Sequence, residues 1–90
     1  MSFKVDKLKQ FEVILRNDDD CAYSDITKAL KLIFNLSEND AGCMAIEANT
    51  GAEVVIETIH CEKKELRESQ IRTWNEKGES KLPIIFKEVK

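Results

Sequence analysis

The sequence predicts an α+β fold: a β-α-α-β-α-β order forming a two-layer sandwich, with a three-stranded antiparallel sheet and three helices on one face. Three observations carry that prediction. Phe11, Val13 and Leu15 alternate with Glu12, Ile14 and Arg16, the period of a half-buried strand. Ile26, Ala29, Leu30, Ile33 and Phe34 recur at helical spacing. Two further runs, residues 54–59 and 82–86, are rich in β-formers, so strands both precede and follow helical stretches.

Residues 1–10 hold three lysines and an aspartate among few apolar residues and read as a short, flexible or edge-lying extension. The first strand, 11–16, stops abruptly at Asn17-Asp18-Asp19-Asp20, residue types that bond to their own backbone and favour turns. Ser24 offers an N-cap for the first helix, and Asp25 complements its dipole. Asn35-Leu36 breaks that helix. Ser37 with Asp40 opens a second one as a variant capping box, and its apolar line is Ala41, Met44, Ala45 and Ala48. Gly51 ends it as a C-cap glycine. Side chains this small imply either a close neighbour or a groove.

Val54 to Ile59 forms the second strand. Glu62 to about Glu76 reads as a charged helix that places Leu66, Ile71 and Trp74 on its apolar side and is closed by Gly78. The last strand runs from Leu82 to Phe86, with Pro83 restricted to an edge or a strand start.

Ninety residues make one domain. A chain of this size buries about 65% of its unfolded surface, enough for one compact core. Hydrophobic content of 42% with 34% charged residues suits a folded soluble chain. A formal charge of −3 argues against a nucleic-acid surface, which needs a basic excess. No apolar run is long enough for a membrane span or a signal peptide, so a cytoplasmic protein without membrane contact is expected. Cys21, Cys43 and Cys61 are odd in number and widely spaced, which fits reduced thiols. No paired ligands suggest a metal, no cofactor motif occurs, and nothing orders a nucleophile against His60, so no enzyme is expected.

The turn at Asn17 has two readings. It is an acidic strand end repelled into water, or it is a rigid point presenting an amide oxygen and carboxylates to a cation with several donors, such as a free amino group or a metal ion. The sequence Val-Ile-Leu-Arg-Asn-Asp-Asp (residues 13–19) resembles the ClpS family of adaptors for the Clp AAA+ protease. The helix pair ending at Gly51, the charged third helix with Glu62 and Glu65-Leu66-Arg67, and the terminal Leu-Pro-Ile-Ile extend the resemblance over about residues 11–89. The C-terminal domain of the ribosomal stalk protein is a related fold but lacks Asn-Asp-Asp.

The resemblance implies a protease adaptor domain at 11–90 that binds destabilising N-terminal residues and delivers their proteins to the N-terminal domain of a Clp AAA+ unfoldase. It implies that Asn17, Asp18, Asp19 and Asn49 meet the α-amino group. Cys21, Tyr23, Ile26, Ala45, Ala48 and Ile84 then wall the side-chain pocket, and Glu62 and Arg67 dock the unfoldase from an exposed helix face. The working form is expected to be a monomer. The sequence departs from the family pattern at several of these places. Cys21-Ala22 replaces Thr-Pro, Asn49 stands for a histidine, and Tyr23 and Ala45 stand for methionines. The alternative is a degenerate ClpS-like or stalk-like module that binds a partner protein without recognising N-termini.

Overall fold

The computed structural model describes residues 9–18, 20–78 and 81–89. Its elements follow the expected order: β1 (Gln10–Leu15), α1 (Tyr23–Phe34), α2 (Glu38–Asn49), β2 (Val54–His60), α3 (Cys61–Lys77) and β3 (Ile84–Glu88). Residues 1–8 of the expected extension lie outside the described residues. Gln10, placed in that extension from sequence, instead opens β1 opposite His60.

The strand with the strictest alternation takes the centre of the sheet, whose order is β2-β1-β3 with both pairings antiparallel. Val13 and Leu15 are fully buried on the face that meets the helices. Ile14 is 3% exposed yet lies outside that core, flanked across the sheet by Val55 and Ile85. The pairing of β1 with β2 shifts between Val13 and Ile14, where β2 carries one extra residue. β3 begins two residues later than the sequence suggests. Asn75 Oδ1 accepts the Leu82 N–H at 2.9 Å, and the Pro83 carbonyl accepts the Arg16 N–H at 2.8 Å. These bonds hold the proline in the lead-in to an edge strand, where its missing N–H costs no sheet bond.

The first helix starts one residue before Ser24. Ala22 is its N-cap in extended conformation, and Ser24 instead lends its carbonyl to Thr27 Oγ1 at 3.1 Å. A turn bond from Cys21 N–H to the Asp18 carbonyl delivers the chain to the helix that early. Asn35, in left-handed conformation at φ 56°, ends α1. Ser37 caps α2 as expected, its Oγ accepting from Asp40 N–H at 3.1 Å, and Gly51 follows the helix at φ 98°.

Ile26, Ala29, Leu30 and Phe34 of α1, Ala41, Ala45 and Ala48 of α2, and Ile71 of α3 join Val13 and Leu15 in one core. Trp74 packs against it, but Leu66 does not: it is 57% exposed. The turn that carries Leu66 gives its inward positions to long cations instead. Lys64 lies 5.1 Å above the Phe11 ring and 5.7 Å from that of Phe86, and it pairs with Glu68 at 3.2 Å. Aromatic faces and a carboxylate let a lysine cover part of the core without an unpaired charge.

Candidate functional site

Where β1 ends, three elements bring most of the predicted site residues around one concavity of about 170 Å³. The strand end supplies Asn17 and Asp18, the following turn supplies Cys21, α1 supplies Tyr23 and Ile26, and α2 supplies Ala45, Ala48 and Asn49. Each arrives for a local reason. Arg16 is fixed by its backbone bond to Pro83, so the next residue leaves the sheet at a defined point. Asp18 Oδ1 then accepts the Asp20 N–H at 2.9 Å, and the Asp18 carbonyl accepts the Cys21 N–H at 3.2 Å. These two bonds fold the acidic segment back toward α1. Cys21, Ile26, Ala45 and Ala48 are buried and make an apolar floor. Asn17 and Asn49 are exposed and Asp18 half-exposed at the rim.

One expected member is placed differently. Ile84 lines an adjoining concavity with Leu82, Pro83 and Ile85, because β3 lies on the far side of the β1 exit. Asn17 and Asp18 border both hollows. Asp19 falls outside the described residues. Sequence reasoning missed Arg16 and Ile46, which also line the pocket. Ile46 is 60% exposed, and its signal was an isoleucine lying off the buried line of α2. Arg16 pairs with Glu53 at 3.5 Å beside the opening.

Chemically, the rim offers carboxamides and a carboxylate above a surface of thiol, methyl and aliphatic groups. That set suits a small cationic group with several N–H donors attached to an apolar side chain. No side-chain bond engages the Asn17 or Asn49 amide among the described residues, so both remain open to a ligand. The described residues contain no group of three potential metal ligands.

The expected docking pair divides. Glu62 is exposed in the first turn of α3. Arg67, expected to be exposed as well, turns inward, with its side chain 21% exposed. Its Nε and Nη2 donate to the two Glu57 oxygens at 2.6 and 3.3 Å, and Nη1 donates to the Ile33 carbonyl at 3.1 Å and to Gln70 Oε1 at 2.8 Å. The guanidinium also lies 5.1 Å from the centre of the Phe34 ring. Arg67 thus ties α3 to β2 and to the end of α1. The planar fork of arginine matches the carboxylate of Glu57, and the bulge in β2 lies beside that residue.

Comparison with known proteins finds a family and a solved structure that match. Residues 6–85 match the family described as ATP-dependent Clp protease adaptor protein ClpS. Among solved structures, that of Agrobacterium tumefaciens ClpS2 bound to L-phenylalaninamide is similar, with a TM-score of 0.67 and 23% sequence identity, covering 90% of this chain and 95% of that one. A sequence search of curated proteins finds no match. No described helix is long and apolar enough to cross a membrane.

Proposed function

The chain belongs to the ClpS family of Clp protease adaptors, and we propose that its pocket binds destabilising N-terminal residues of proteins bound for a Clp AAA+ unfoldase. The observation that carries this reading is the open acceptor rim of Asn17, Asp18 and Asn49 above an apolar floor in a single concavity. A peptide's amino terminus has a pKa of about 7.7–8.0, so at neutral pH it is mostly an ammonium with three donors. Acceptors from β1 and from the end of α2 approach it from two sides, and the first side chain enters between α1 and α2. The relative holds L-phenylalaninamide, which itself combines a free α-amino group with an aromatic side chain. Asp19 would support the turn.

Glu62 is the proposed contact to the unfoldase N-terminal domain, and Arg67 supports that surface from within by holding α3 in place. The adaptor is read as a cytoplasmic monomer that carries its substrate and performs no chemistry of its own.

Fluorescence anisotropy with peptides that start with Phe, Leu, Tyr or Trp tests the pocket. Free peptides are expected to bind, and acetylated ones to bind at least tenfold more weakly. Equal binding of free and acetylated peptides would end this reading and leave a module that binds a partner by another surface.

A further inference from the structure

The sheet order leaves β3 with a single neighbour, and the register shows what its free edge offers. Arg16 N–H bonds to the Pro83 carbonyl and Val89 N–H to the Gln10 carbonyl, both at 2.8 Å, so the odd-numbered residues of β3 turn their backbone groups toward β1. Phe86 and Glu88 therefore turn theirs outward, where no described strand meets them. A groove of about 520 Å³ runs beside this edge, between β3 and α3. It exists because α3 packs chiefly over β2 and β1 and leaves the inner face of β3 half-covered. Ile71, Ile84 and Phe86 give the groove apolar side chains, while Glu68 and Glu76 are balanced by Arg72 and Lys81. An edge strand with open backbone groups beside an apolar groove is the arrangement that accepts an added strand.

What covers the edge follows from the neighbouring hollows. Arg16, Asn17 and Asp18 line both the amino-terminus pocket and the hollow at the start of β3, and Ile84 lines both that hollow and the groove. The three concavities thus adjoin in a row from the end of β1 to the edge of β3. Strands lie about 4.8 Å apart, so a strand added beside β3 sits about 10 Å from β1, a span of about three extended residues. On the N-terminal-recognition reading above, we propose that the substrate's own chain follows this row. Its second and third residues cross the hollow at Pro83 and Ile84, and its fourth to sixth pair with the free edge of β3 as a parallel strand. The Phe86 N–H donates to one peptide carbonyl, and the Phe86 carbonyl accepts the N–H two residues further on. Balanced charge and an apolar lining favour uncharged, β-forming residues there over charged ones or proline.

The test compares two amidated peptides starting with Phe, one of three residues and one of eight with Val and Thr at the fourth to sixth positions. By titration calorimetry the longer peptide is expected to bind about tenfold more tightly. N-methylation of its fourth to sixth amides should return it to the affinity of the short one. In hydrogen exchange read by NMR, the longer peptide should slow the Phe86 and Glu88 N–H about tenfold, while the short one leaves them unchanged. Ile85 and Lys87, whose backbone groups already face β1, should change little with either. Equal affinities, or unprotected Phe86 and Glu88, overturn the proposal. If acetylation still abolishes binding in that case, only the strand addition fails and the pocket keeps its role. If acetylated peptides bind as tightly as free ones, the N-terminal-recognition reading fails, and this proposal fails with it. Protection of Phe86 and Glu88 that appears without peptide and grows with protein concentration assigns the edge to a second copy of the chain, and also overturns the proposal.

Discussion

Two polar clusters flank the helix layer, and they differ in what their hydrogen-bonding groups face. At Arg67 the guanidinium spends its donors on Glu57, Ile33 and Gln70 and stacks near Phe34. At the β1 exit, Asp18 spends one oxygen on its own turn, while the Asn17 and Asn49 amides open onto a concavity with an apolar floor. Both clusters would look alike in a list of polar residues. The first closes upon the protein and stabilises it. The second is held rigid yet left incomplete, which is the condition for binding something else.

The core beneath both clusters sets the scale of the effects. Leu30 is fully buried, so Leu30→Ala should lower stability by about 2–5 kcal/mol, read by denaturant unfolding. A change under about half a kcal/mol would mean that α1 is rotated. Arg67→Ala comes next. It leaves Glu57 without its partner and the Ile33 carbonyl without this donor, at a cost of about 2–3 kcal/mol, less than for a fully buried pair. Arg67→Lys should recover only part of that, because an ammonium cannot reproduce the two-pronged contact. Free-peptide affinity at temperatures where the variant stays folded should change little.

Asn17→Ala should show the opposite profile. Stability should stay within about 0.5 kcal/mol, as for an exposed residue, while affinity for a free amino terminus drops about ten- to a hundredfold through loss of a charge-assisted bond. Parallel melting curves and anisotropy titrations would expose any mixing of the two profiles. The smallest expected change in stability is at Glu62. Glu62→Lys should leave the melting temperature unchanged and weaken capture by an unfoldase N-terminal domain, which a pull-down with purified components would register. Undiminished capture would move the docking surface elsewhere.

The contrast between the clusters also explains what could be read before folding. Alternation in β1 and the helical spacing of α1 identified the core because burial imposes those periods on sequence. The capping serine at 37 and the glycine at 51 were legible because their roles are local. Arg67 was misread because its partners lie 10 and 34 residues away in sequence, and α3 carries charge on nearly every side. Leu66 failed for a related reason. An apolar residue in so charged a helix looked like a core contact, whereas the inward space at that turn goes to Lys64 and Arg67. Ser24 was chosen as a cap by residue type, although the turn at Asp18 starts the helix earlier. In the pocket, Asn17, Asp18, Tyr23 and Asn49 were carried by family resemblance. Ile84 was carried into the same hollow by that resemblance, whereas it lines the adjoining one that Asn17 and Asp18 also border.

The central claim is that the open cluster binds an α-ammonium and the closed one does not, and side-chain N–H signals report on both at once. In a ¹⁵N–¹H spectrum, titration with L-phenylalaninamide should move the Asn17 and Asn49 amide resonances saturably while the Arg67 Nε–H stays fixed. N-acetyl-L-phenylalaninamide should move none of them. Shifts at Arg67 and Gln70 without any at Asn17 and Asn49, or equal shifts with the acetylated compound, would contradict the account.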